Sequence, residues 1–202
     1  MSSFLKTLIA LIIVVVAVGF FAVRSANVIP TNEEFAKAKW SDVQNQYQRR
    51  ADLIPNLVET VKGYAKQEKD VLTAVVEARA KATQITVDAS LVNDPAKFKQ
   101  FQDAQQQLSG ALGRLLAVTE NYPDLKSNQN FLSLQSQLEG TENRIAVARK
   151  DYIEAVRVFN TAIRTVPTSW LAAIFYPGTK AMETFAAAPE NQTPPKIDFN
   201  NK

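Results

Sequence analysis

Two groups of charged residues in this 202-residue chain could do chemistry: Arg49, Arg50 and Asp52 in one stretch, and Glu139, Glu142, Asn143 and Arg144 in another. Set against each other, they could supply a carboxylate pair for proton transfer or an oxygen-ligated cation site. They could equally make an ion pair between two helices. Arg50 decides how they are read. It stands in a series of apolar residues, at a position where the spacing requires one more apolar side chain, and a buried guanidinium needs a partner. Glu142 is the candidate partner. The reading adopted is an Arg50–Glu142 salt bridge that fixes register between the first and last long helices, since such pairs specify alignment more than they add stability. An enzyme would have to use Arg50, Glu68 and Glu142 together in a water-accessible cleft, and their helical spacing gives no reason to expect one.

Composition narrows the chemistry further. The chain has no histidine and no cysteine. The commonest general base, the commonest transition-metal ligand, thiolate catalysis and disulfides are therefore excluded. Six glycines, none in a phosphate-cradling cluster, leave no nucleotide-binding fingerprint. No loop spaces carboxylates as calcium sites do. The expectation is no catalytic residue, no bound metal and no cofactor. A net charge of +3, with acidic and basic residues interspersed, argues against a nucleic-acid partner.

The elements that position Arg50 are organised around Trp40 to Ala65. Trp40, Val43, Tyr47, Ile54, Leu57, Val61 and Tyr64 recur at steps of three and four, the mark of a helix face packed on other helices. Upstream, Thr7 to Val23 is seventeen residues without a charge, flanked by Lys6 and Arg24. That is long enough to span a bilayer and longer than a signal-peptide core, so residues 1–26 read as an uncleaved membrane anchor. Lys6 and Arg24 nearly balance; the orientation taken is amino terminus inside, with the bulk of the chain outside. Asn27 to Pro30 reads as a hinge, and Thr31 with Glu34 as a capping box opening a new helix. Pro55 should bend that helix. Thr31 to about Gln84 then forms one arm, kinked at Pro55 and interrupted near Gly63 to Gln67.

Asp94-Pro95 is an N-cap with proline at the first helical position, and Phe98, Phe101, Leu108, Leu112, Leu115 and Val118 give the next helix its inner face. Asn121 to Asp124 is a turn. In the last long helix Phe131, Leu138, Ile145, Tyr152, Phe159 and Val166 fall seven apart, with Leu134, Thr141, Ala148, Ala155 and Ala162 in a second seam. This is a heptad register of the coiled-coil kind, and Asn128 to Val166 would be about 58 Å long.

Trp170, Leu171, Ile174, Phe175 and Tyr176 lie outside these periodic helices. They either cap the end of the bundle or present an apolar patch to another subunit or to lipid. Lys180 to Ala188 could form a brief helix. Residues 189–202 read as an extended tail in which Ile197 and Phe199 could dock on the bundle or on a neighbour.

Long stretches resemble one known family. YQRRADLIPNLVETVKGYA at Tyr47 to Ala65, VVEARAKAT at Val75 to Thr83, ENYPDLKSNQNFLSLQSQLEGTENRIAVAR at Glu120 to Arg149 and PPKIDF at Pro194 to Phe199 are similar to the signature blocks of the LemA family. The resemblance covers essentially the whole chain. It implies a membrane-anchored antiparallel helical bundle of bacterial origin, and one branch of the family is associated with building an internal membrane. The family commonly carries histidine where this chain has Gln67, so any role for an imidazole there is lost.

The fold expected is therefore all-α: an N-terminal transmembrane helix, then an antiparallel bundle of long helices with a kinked first arm over residues 27–188. The function expected is a membrane-anchored scaffold that self-associates and organises or shapes a bacterial membrane or envelope complex. Its partners would be lipid, further copies of itself and envelope proteins. The alternative is a monomeric accessory module that recruits an envelope protease or other membrane enzyme. The location expected is the bacterial inner membrane, single-pass, with the bulk domain extracytoplasmic.

Overall fold

A computed structural model of the chain describes residues 3–85 and 90–185. Among the described residues the regular structure is entirely helical: α1 (Ser3–Tyr64), α2 (Lys69–Gln84), a 3-10 turn (Leu91–Asn93), α3 (Pro95–Thr119), α4 (Pro123–Lys126), α5 (Gln129–Ala162) and α6 (Thr168–Phe175). The fold is an all-α bundle with one long apolar helix at its N-terminal end.

The largest departure from the sequence expectation is α1. No hinge separates Asn27 from Pro30, and the helix runs unbroken for 62 residues through both Pro30 and Pro55. Thr31 is not a cap: its hydroxyl donates to the Asn27 carbonyl one turn back, inside the helix. The physical reason is tertiary. Ala26, Ile29, Ala36, Trp40, Val43, Tyr47, Ala51, Ile54, Leu57 and Val61 form one buried stripe along α1, so packing holds residues that local propensity would release. The break expected near Gly63 to Gln67 does occur: α1 ends at Tyr64, Ala65 is fully buried in the turn, and α2 begins at Lys69.

α5 packs antiparallel along α1, as the pairs Tyr64 with Asn128, Arg50 with Glu142, Gln46 with Arg144 and Lys39 with Asp151 record. α2 folds back on α1 and also lies against α3. Asp94 caps α3 by accepting from the amides of Ala96 and Lys97, and Asn128 caps α5 through Asn130 and Phe131. On α5 the seam from Phe131 to Phe159 is buried, but Val166 lies past the helix end and is exposed. Tyr64 is likewise exposed rather than part of the core, its hydroxyl accepting from Asn128.

Residues 180–185 are not helical; their backbone groups are engaged elsewhere. Asn160 holds Met182 from both sides, accepting from its amide and donating to its carbonyl, each at 2.9 Å. The Glu183 amide donates to the Val92 carbonyl, and the Tyr152 hydroxyl donates to the Glu183 carbonyl, both at 2.7 Å. Phe185 thereby joins Trp40, Phe98, Phe101 and Tyr152 in an aromatic cluster with the tilted and edge-on contacts such rings prefer. The rest of the helix expected to end at Ala188 lies outside the described residues.

Candidate functional site

Two places hold the residues singled out from sequence: a polar layer around Arg50 in mid-bundle, and the outer face of α6.

Arg50 is 1% exposed, at the level where the apolar core divides into two clusters. One cluster contains Trp40, Phe101, Tyr152 and Phe159; the other contains Ile54, Leu108, Phe131 and Leu138. Between them the Arg50 guanidinium donates from Nη1 to Glu142 Oε1 at 2.8 Å and to Ser109 Oγ at 2.9 Å. Its Nη2 donates to Gln105 Oε1. Its Cζ sits 5.0 Å from the Tyr47 ring centre. One arginine thus ties α1 to both α3 and α5. Its Nε is buried without a hydrogen-bond partner among the described residues, and so is Trp40 Nε1. The sequence pointed to Arg50 through its place in the seam. It gave no sign of Ser109; Gln105 falls in the seven-residue step between Phe101 and Leu108, the same kind of gap that marks Arg50, but Ala104 beside it can close the apolar pattern.

A second polar contact explains how α1 survives Pro55. Proline has no amide hydrogen, so the carbonyl of Ala51, four residues back, loses its helical donor. Arg79 of α2 supplies one: its Nε donates to the Ala51 carbonyl at 2.8 Å. In the sequence Arg79 stands within the VVEARAKAT block.

Beside this layer, Gln44, Tyr47, Gln48, Thr83, Phe101 and Gln105 border an open cleft of about 410 Å³. Its polar lining is mostly amide. Glu68 is elsewhere, at the α1–α2 turn, where it accepts from the Tyr122 hydroxyl at 3.0 Å and raises that tyrosine's pKa. Arg50, Glu68 and Glu142 therefore do not converge. Among the described residues no three carboxylates gather in a way that could hold a metal ion.

At the other site, Trp170, Ile174 and Phe175 are 68%, 70% and 60% exposed. Leu171 and Tyr176 are half-buried, Tyr176 against the core, and Ala172 is buried. The five residues divide: one side of α6 packs on α1 and the other faces outward. Ile197 and Phe199 lie outside the described residues.

The sequence profile of the LemA family matches residues 39–199. The chain belongs to the LemA family. Family relatives include the magnetosome protein MamQ 2 of Paramagnetospirillum magneticum, 29% identical over 184 residues that cover 83% of this chain and 67% of that protein. MamQ of Magnetospirillum gryphiswaldense is 28% identical over the same shares. Protein LemA of Metamycoplasma hominis is 25% identical over 130 residues, 64% of this chain and 55% of that one. The matched region takes in Arg50, Arg79, Glu142 and α6, and leaves most of the exposed apolar part of α1 outside it. In this LemA chain α1 is long and apolar enough to cross a membrane.

Proposed function

We propose that this LemA-family protein is a membrane-anchored scaffold that self-associates and organises or shapes a bacterial membrane or envelope complex, without catalytic activity. The observation that carries the reading is the continuity of α1. The same helix provides the exposed apolar segment from Phe4 to Val23 and the central stripe of the bundle, so the bundle is held to its anchor without a flexible linker. A module that captures mobile partners gains from a flexible tether; a fixed stalk suits an ordered array. The naming of relatives as magnetosome proteins supports a membrane-organising role. Residues 1–26 would be the anchor, in the inner membrane, with the bundle on the outer side.

The experiment is the mass of the full-length protein in detergent and in nanodiscs, measured beside a chain beginning at Asn27. A defined oligomer that shrinks when the anchor is removed supports the scaffold. A monomer in both forms overturns it in favour of a recruiting module.

A further inference from the structure

The antiparallel register places the end of α5 against the membrane-proximal part of α1. Arg50 pairs with Glu142 and Lys39 with Asp151, so Ala162 comes level with about Ile29. α6 follows within six residues and packs on α1. At its far end Tyr176 and Glu33 border the same cleft. α6 therefore lies alongside α1 between Val23, the last residue of the lipid-facing run, and Glu33. Arg24 to Ile29 spans about 8 Å along the axis, roughly the depth of the headgroup layer.

We propose that α6 is a membrane-interface helix whose Trp170, Ile174 and Phe175 insert into the headgroup–acyl boundary of the leaflet from which α1 emerges. Burial divides α6 along its length: Ala172 and the half-buried Leu171 face α1, while Trp170 and Ile174, four apart, share the outer face with Phe175 beside them. Val166 adds an exposed apolar residue just before the helix. A Trp-containing apolar face at this height is what the interface favours.

Charge points the same way. No aspartate or glutamate occurs in residues 1–32 or in residues 155–182, the segments nearest the exposed apolar run; the first carboxylate beyond them on α1 is Glu33, at the far end of α6. Those segments carry Lys6, Arg24, Arg157, Arg164 and Lys180. Arg24, Arg164 and Lys180 are exposed and flank α6, a distribution complementary to anionic headgroups. The occupant of the outer face is lipid. It is not a second copy of the chain, although the scaffold reading requires self-association somewhere. The inference rests on α1 crossing the bilayer.

The absence of cysteine makes the test direct. Single variants Ile174→Cys, Val15→Cys and Lys62→Cys of the full-length protein are labelled with an environment-sensitive fluorophore. They are reconstituted in nanodiscs of phosphatidylcholine and phosphatidylglycerol, with quenchers on lipid chains at shallow or deep positions, or with aqueous iodide. The expected result is severalfold stronger quenching of the Ile174 label by shallow lipid quencher than by iodide. Val15 should respond to the deep quencher and Lys62 to iodide alone. An Ile174 label quenched as Lys62 is, or shielded from both lipid and iodide as in a protein–protein contact, overturns the proposal. A Val15 label that no lipid quenches overturns the premise that α1 spans, and the proposal with it.

Discussion

Arg50 and Glu142 meet at 2.8 Å from opposite solvent regimes: the guanidinium is sealed inside the bundle, while the carboxylate side chain keeps 43% of its exposure. The two partners are not equivalent. Removing the arginine strands Gln105 in the core, while removing the carboxylate charge leaves the guanidinium its bonds to Gln105 and Ser109. Arg50→Leu should lower stability by about 2–4 kcal/mol, short of the full loss for a wholly buried pair. Glu142→Gln should cost about 1 kcal/mol. Chemical unfolding followed by circular dichroism checks the order; equal losses would mean that the ion pair outweighs the amide contacts.

Arg79 and Pro55 form a testable couple through the Ala51 carbonyl. Arg79→Ala should cost about 1–2 kcal/mol, the range of a charged donor lost from a partly buried acceptor. In a Pro55→Ala background the residue 55 amide returns and can bond that carbonyl itself, so the same Arg79→Ala change should cost markedly less. A double-mutant cycle reads the difference directly. Identical costs in both backgrounds would remove the explanation given for the unbroken helix.

Tyr152 gives the bundle an alkaline limit. Burial, aided by the nearby Glu183 carboxylate, pushes its phenol above the ordinary value of 10.0. The folded state therefore holds this proton where the unfolded chain releases it. The stabilisation is complete below about pH 10 and falls as pH rises past the unfolded pKa toward the folded one. Tyr152→Phe should reduce stability at pH 7 by about 1 kcal/mol, through the lost bond to the Glu183 carbonyl. It should also flatten the decline above pH 10. Thermal unfolding across pH 7–11 would show whether the wild-type slope exceeds that of the variant.

The continuity of α1 can be measured as a distance. Spin labels on Val15→Cys and Glu34→Cys should sit about 28 Å apart with a narrow distribution, as nineteen residues of α-helix require. A broad or shortened distribution would restore a hinge at Asn27 to Pro30.

Sequence was most informative where a helix announces its own ends or its own face. Asp94-Pro95 is a capping signal that local chemistry alone explains, and α3 begins there; the helix read from Asn128 starts at the next residue. The seven-residue series on α5 is visible because one neighbour, α1, lies along its length. The misreadings have a common cause. Pro30 and the Thr31–Glu34 pair are signals of local preference, overruled by the packing of α1 on the rest of the bundle. At Pro55 the helix continues, and the carbonyl left without a donor is served by a single arginine 24 positions away. The strapped conformation of residues 180–185 was equally hidden, because Asn160 and Tyr152 look like ordinary helix residues until Met182 and Glu183 arrive beside them. Arg50 was legible because it interrupts a pattern. Gln105 interrupts the α3 series in the same way, between Phe101 and Leu108, but an uncharged amide next to Ala104 marks the gap less sharply than a guanidinium.

From Arg24 to Tyr64 the unbroken α1 extends about 60 Å beyond the lipid-facing run. An apolar run and a bilayer of unequal thickness relieve their mismatch in part by tilting the helix. With no joint between anchor and bundle, that tilt passes undiminished to the far end of the bundle. A 20° inclination, ordinary for a membrane helix, would carry the α1–α2 turn about 20 Å sideways. Bilayer thickness would thus set how far from the membrane normal the outer end of the bundle lies.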